Sequence, residues 1–289
     1  MLSTKLKVGP NTSRYLELSR GITHYEYFVP EGDAPDYTIV MLHGTFGPMT
    51  VWDQMFAYLA GKGYRVLRFD FFGRGQSACP RLQYKADVFV SQTEELINRL
   101  QINNKLVVVG HSLGCIVGGE FAARNPMAIK AMVLVSPSGF PLKSRWIGRL
   151  IKSPCVGWFY MMMFGRAFLE KRIRRYYKKS LGLLEINNIL DCQEDFKGFK
   201  RAYRSTLRYS PTTKYLQGYA RLEKLKLPKL LVWGRGDRVT PFRKSVLALK
   251  VMPTVKLFPV DDAGHVPQVE QANAVNDILN PFLMSLQMP

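Results

Sequence analysis

Histidine, cysteine and acidic side chains are scarce in this chain. Only 4 histidines and 4 cysteines occur among 289 residues. Cys79, Cys115, Cys155 and Cys192 have no paired spacing, and no histidine stands in a CxxC or HxxxH setting. This argues against a structural zinc site, requires no disulfide and makes a reducing compartment the expectation. Long apolar runs are also missing. The longest candidate, PCVGWFYMMMFG, falls short of the roughly 18 residues of a membrane span and is flanked by arginines and lysines. The first twenty residues lack the apolar core of a signal peptide. An intracellular, cytoplasmic protein is expected, with peripheral contact with membranes left open. Acidic residues number 22 against 41 Lys plus Arg, a formal net charge of +19. Such an excess reflects a partner, a surface or solubility, and its location matters more than its size.

What is present is an alternation of strand-like and helix-like stretches. SRYLELS and THYEYFV alternate with period two and suit an antiparallel start. The continuous apolar runs YTIVMLHG, YRVLRFD, KLVVVGHS, AMVLVSP, KLLVWGRGD and VKLFPVDDAGH suit strands covered on both faces, as in a parallel sheet. Helix-length stretches lie between them. The pattern predicts an α/β fold: a mostly parallel, doubly wound sheet of about eight strands. The rhythm breaks between Phe140 and about Tyr215, which reads as a helical insertion after the sixth strand. The expected division is a core from 1 to 139, a basic helical lid from 140 to 216, and the rest of the core from 217 to 289.

Chemistry-bearing residues collect at the predicted strand ends, where open α/β sheets gather their sites. Ser112 stands in Gly-His-Ser-Leu-Gly, between a β-branched run and a small-residue helix. That five-residue pattern should occur by chance about 0.1 times in a chain of this composition, so it needs company. His265 supplies it. Of the four histidines, His24 reads as a surface residue of an edge strand, His43 precedes a glycine, and His111 adjoins the serine and points away. Only His265, after DDAG at the last strand's end, is placed as a base. For its acid partner Asp237 is favoured. Asp261 and Asp262 lie too close to His265 on the same loop, and Asp70 belongs to an earlier strand. Thr240 and Pro241 read as the cap and first turn of a following helix. Gly73 and Gly75 in DFFGRGQS form a tight turn; the phosphate-loop pattern is incomplete.

Taken together, LHGTFG, DFFGRGQS, GHSLG, WGRGDRVTP and DDAGHVPQVE resemble, in order and spacing, the α/β-hydrolase superfamily of serine hydrolases. The likeness is strongest to monoacylglycerol-lipase, carboxylesterase and carbon–carbon-bond-hydrolase-like members. It runs from about Arg14 to the C-terminus, apart from the insertion, which falls where the family carries its lid. The resemblance implies Ser112 as nucleophile, His265 as base and Asp237 as its orienting acid. The backbone N–H groups of Leu113 and Thr45 would form the oxyanion hole, with Phe46 the weaker choice for the second donor and a candidate substrate contact. Cleavage of carboxylic esters, of apolar acyl or lipid type, is expected, with no cofactor and no metal. Thioesters, amides and carbon–carbon bonds are alternatives on the same triad, and a ligand receptor with little turnover is another.

The charge is concentrated. The stretch 140–216 holds 17 basic and 5 acidic residues, a net +12. EKRIRRYYKKS follows an apolar run rich in Trp, Phe, Tyr and Met. Three readings stand: a solvated lid face, peripheral contact with an anionic membrane, or another polyanion, nucleic acid not being expected. An alternative reading makes the Met run pocket lining.

Overall fold

Each apolar run becomes a strand of one eight-stranded sheet. A computed structural model describes residues 13–142, 150–179 and 198–287. The strands are β1 (Ser13–Leu18), β2 (Gly21–Phe28), β3 (Tyr37–Leu42), β4 (Arg65–Phe69), β5 (Lys105–His111), β6 (Ile129–Val135), β7 (Lys229–Gly234) and β8 (Lys256–Val260), in spatial order 1-2-4-3-5-6-7-8. The two strands of alternating pattern, β1 and β2, pair antiparallel, and the six continuous runs from β3 to β8 pair parallel.

The pleat divides each parallel strand between two apolar layers. Val40, Leu42, Leu67, Val108, Leu134 and Leu231 face helices α2 (Ala86–Arg99), α3 (Leu113–Arg124) and α6 (Leu216–Lys224). Ile39, Met41, Val66, Val107, Val133 and Val232 face α1 (Asp53–Gly61) and α9 (Ala272–Ser285). Full burial of each such side chain contributes about 1.5–3 kcal/mol, and only a strand covered on both faces has use for an unbroken apolar run. Between β7 and α9 lie α7 (Ser245–Val251) and the short α8 (Pro267–Glu270).

The segment joining β6 to β7 contains helices α4 (Pro154–Tyr176), α5 (Phe199–Tyr209) and α6, and no strand among the described residues. Gly157, Met161, Gly165, Leu169, Ile173 and Tyr176 form the buried face of α4. Of these, Met161, Leu169, Ile173 and Tyr176 join Ile151, Phe199 and Tyr203 in a third apolar cluster. Its floor is Phe46, Val239 and Val266, each one or two residues from a strand-end group singled out by sequence.

The structure corrects three local readings. His24 is buried rather than on the surface: its Nδ1–H donates to Asp70 Oδ2 at 2.7 Å and its Nε2 accepts from the Ser13 hydroxyl at 2.8 Å. Thr240 caps no helix, because its hydroxyl turns back to Asp237. The Met run does not line a pocket as a unit. Met161 is buried, whereas Met162 and Met163 are exposed. Cys192 lies outside the described residues, and Cys79, Cys115 and Cys155 are free thiols.

Candidate active site

Ser112 occupies the bend between β5 and α3 with φ 54° and ψ −110°. A non-glycine residue in that region costs about 1–3 kcal/mol and persists only where its surroundings over-determine it. Here the flanking glycines do so. A Cβ on Gly114 would lie 2.0 Å from the Leu42 carbonyl oxygen, and one on Gly110 would lie 2.6 Å from Gly114. Only a chain bare at both positions packs α3 this close to β3 and β5, and that packing pushes the serine side chain out at the carboxyl edge of the sheet.

At that edge three strand ends converge. The Ser112 hydroxyl donates to His265 Nε2 at 3.0 Å, and His265 Nδ1–H donates to Asp237 Oδ2 at 2.8 Å, the tautomer being the one the two bonds require. Asp237 Oδ1 accepts the amides of Val239 and Thr240, at 2.8 and 2.9 Å, and Oδ2 also accepts the Thr240 hydroxyl at 2.9 Å. With His265 as acceptor for Ser112, the Ser138 hydroxyl, 2.9 Å away, donates to Ser112 Oγ. Each proton thus points along one line, from Ser138 through Ser112 and His265 to Asp237, the final acceptor. Sequence reasoning missed Ser138, whose signal was its position just past β6, and read Thr240 only as a helix cap.

The other acids are committed elsewhere. Asp70 binds His24 and the amides of Met49 and Gln76. Asp261 pairs with Arg235, and Asp262 with Lys178.

Leu113 opens α3, so its N–H has no carbonyl one turn earlier to bond. The N–H of Thr45 likewise has no hydrogen-bond partner among the described residues. The Thr45 carbonyl, by contrast, is fixed. It accepts Arg74 Nε at 2.7 Å, while Arg74 Nη2 donates to the Thr206 hydroxyl of α5, also at 2.7 Å. Arg74 is 1% exposed, and burial pulls its guanidinium down to about 10. The rings of Tyr84 and Phe89 flank it. His43 is neutral: burial pushes it down to about 4, its Nδ1–H donates to the Gly44 carbonyl, and its Nε2 accepts the Phe71 N–H. Burial and the adjacent His265 likewise lower His111, whose Nε2–H donates to the His265 carbonyl at 2.7 Å.

The roof is apolar and shut. Ser112 is 2% exposed and His265 fully buried. The Tyr176 ring stands edge-on to the His265 ring, with centroids 4.8 Å apart. Phe46 is buried in edge or tilted contact with Tyr176, Phe199 and Tyr203. A separate recess bordered by Asp36, Glu94, Asn104 and Lys105 lies at the amino ends of β3 and β5, the opposite edge of the sheet.

This fold and strand-end geometry can be set beside known proteins. Residues 39–278 match the sequence profile of the alpha/beta hydrolase family. The chain belongs to that family. Among its hydrolase relatives, the 2-hydroxy-6-oxononadienedioate/2-hydroxy-6-oxononatrienedioate hydrolase of Cupriavidus pinatubonensis is 25% identical over 290 residues, spanning 94% of this chain and 95% of its own. Lipase 3 of Moraxella sp. is 26% identical over 260 residues, covering 84% and 75%. The crystal structure of the enol-lactonase from Burkholderia xenovorans shares the alpha/beta hydrolase fold with a TM-score of 0.77, at 21% identity over 94% of this chain and all of that one.

Proposed function

We propose that this alpha/beta hydrolase is a serine esterase that cleaves carboxylic esters of apolar acyl or lipid type through an acyl-enzyme. The observation that carries the reading is the hydrogen-bonded line from Ser112 through His265 to Asp237, on a strained bend beside two N–H groups with no partner among the described residues. A serine hydroxyl is a poor nucleophile until a neighbouring base takes its proton. In the proposed reaction Ser112 Oγ attacks the ester carbonyl carbon as its proton passes to His265 Nε2. Asp237 holds the imidazole by Nδ1–H and stabilises the imidazolium. The carbonyl oxygen gathers negative charge against the N–H groups of Leu113 and Thr45, donors of a kind worth about 10²–10³ in rate each. The tetrahedral adduct then expels the alcohol, which takes the proton from His265. Water repeats the sequence on the acyl-serine, releasing the acid and restoring the Ser112 hydroxyl.

The apolar preference is supported by the cluster over Ser112, in which Phe46, Met161, Leu169, Val239 and Val266 are all buried. The segment between β6 and β7 would act as a lid, since a substrate reaches Ser112 only when that cover moves. The hydrolase name and lipase name borne by relatives also fit. A second reading, cleavage of a carbon–carbon bond in a keto-dienoate, is supported by the near end-to-end match to the Cupriavidus relative.

The test is a panel of p-nitrophenyl and monoacylglycerol esters of graded chain length, with 2-hydroxy-6-oxononadienedioate alongside. Ester turnover that rises with acyl length, and fluorophosphonate labelling at Ser112, are expected. Turnover of the keto-dienoate with little on any ester would favour the second reading. Silence on all substrates with no label at Ser112 would leave a receptor.

A further inference from the structure

The first half of α4 presents its apolar residues outward. Val156, Trp158, Phe159, Met162, Met163 and Phe164 are each 50–58% exposed. At about 100° per residue these six positions sweep roughly 240° of the helix circumference. Only the strip through Gly157, Met161 and Gly165 is buried against the body. The helix start is held by Arg204, whose Nη1 donates to the Ser153 carbonyl at 2.7 Å. The apolar half is therefore a fixed projection.

The cations sit around and behind it. Lys152 precedes the apolar half; Arg166, Lys171 and Lys179 follow, all four exposed. The basic run is not one uniform face. The Arg172 guanidinium lies over the Tyr176 ring, Arg174 pairs with Glu170, and Arg175 donates to the Arg238 carbonyl. Those three arginines are engaged within the chain, so the outward charge comes chiefly from Lys152, Lys171 and Lys179.

We propose that the first half of α4 docks on an anionic lipid membrane, its Trp, Phe and Met side chains entering the boundary between headgroups and acyl chains while the flanking cations meet the headgroups. Three features select this occupant. A protein groove covers one face of a helix, whereas a fluid acyl layer closes around 240° of it. Aromatic and apolar residues bordered by cations are the composition of interfacial helices. A second copy of the chain would bring like charge against like, with a net charge of +19 on each.

The docking helix is also the one whose last carbonyl, that of Tyr176, receives the His265 N–H at 2.6 Å. Its apolar end would face the bilayer while its other end adjoins the candidate active site. The docking proposal stands apart from the esterase reading, because it is measured without turnover.

The full-length Ser112→Ala protein is sedimented with vesicles of phosphatidylcholine alone and of phosphatidylcholine with about one third phosphatidylserine. Binding to the anionic vesicles is expected to exceed that to neutral ones by about tenfold, and to fall about tenfold between roughly 0.05 and 0.5 M salt. The triple variant Trp158→Ser, Phe159→Ser, Met163→Ser should lose binding to both. Lys152→Glu, Lys171→Glu, Lys179→Glu should lose only the anionic preference. Unchanged thermal midpoints would show that both variants remain folded. A variant that unfolds is replaced by Trp158→Ser alone, whose binding should fall several-fold. Equal binding to both vesicle types, binding to neither, or folded variants that bind like the parent would overturn the proposal. So would a concentration-dependent dimer that Trp158→Ser dissolves.

Discussion

The backbone N–H of His265 donates to the carbonyl of Tyr176 at 2.6 Å, joining the end of α4 directly to the histidine loop. Glu270 completes the joint. Its two carboxylate oxygens accept the N–H of Lys178 at 2.7 Å and that of Gly264 at 2.6 Å. The position of His265 over Ser112 therefore depends on a helix from the segment between β6 and β7 as well as on its own strand.

Glu270→Gln tests that dependence. An amide has one acceptor oxygen where the carboxylate has two, so one N–H would face an NH2 group. Leaving a partly buried donor unpaired costs about 1–3 kcal/mol. The expected result is a thermal midpoint lower by a few degrees and a kcat on a soluble ester lower by about tenfold, read together in one preparation. An unchanged kcat would mean that the histidine loop holds its place without the joint.

The proposed chemistry makes a sharper demand on three side chains. Ser112→Ala and His265→Ala should each lower kcat by about 10⁶-fold, and the double variant should be little worse, because the two act as a unit. Asp237→Asn should cost about 10⁴-fold by mis-setting the imidazole tautomer. Asp261→Asn and Asp262→Asn should cost less than about tenfold, since their partners are Arg235 and Lys178 at the surface. A severe Asp262→Asn would reassign the acid. Retention of a tenth of the activity by Ser112→Ala would end the mechanism.

Arg74 is a buried cation whose polar contacts are neutral oxygens: the carbonyl of Thr45, the hydroxyl of Thr206 and, at longer range, the carbonyls of Phe72 and Gly73. It stitches the loop that carries the Thr45 N–H to α5. Arg74→Met removes the charge and keeps much of the volume, yet leaves the Thr45 carbonyl unpaired. Arg74→Lys cannot reach both oxygens with one ammonium. Loss of kcat by about ten- to a hundredfold with little change in KM is expected for both, if the Thr45 N–H serves the transition state. A rise in KM at constant kcat would show instead that Arg74 only shapes the roof.

Much of this arrangement was legible in the sequence, for a physical reason. An unbroken apolar run such as Leu106–Val109 has few fates in a chain of this size, and a parallel sheet gathers the ends of its strands. Ser112, Asp237 and His265 could therefore be read as neighbours from order alone. Side-chain partners across long separations were not legible. His24 reads as a surface residue until Asp70, 46 positions later, is folded against it. Arg74 and Thr206 are 132 positions apart, and nothing local marks either. Thr240 obeys the local rule for a helix cap, but the helical turn starts one residue later, after Pro241, and the Thr240 hydroxyl donates to the carboxylate of Asp237, three residues back. Tertiary context decided the fate of His24 and Arg74.

His43 gives the fold a pH dependence of definite sign. Its Nε2 must stay bare to accept the Phe71 N–H, and burial holds its folded-state value at about 4 against about 6.5 in an unfolded chain. Between those values the unfolded chain binds the extra proton, so stability rises with pH across the window and falls on acidification. Below about 4 both states are protonated and this contribution levels off. The span is worth on the order of 3 kcal/mol, and His111, lowered by burial as well, adds in the same direction. Urea unfolding of the parent and of His43→Gln, at pH 7 and at pH 4.5, separates the two contributions. A glutamine amide accepts the Phe71 N–H without titrating. The variant should therefore lose about 2 kcal/mol less than the parent on acidification, even if it starts less stable at pH 7. Equal losses would show that His43 is not the group that resists protonation.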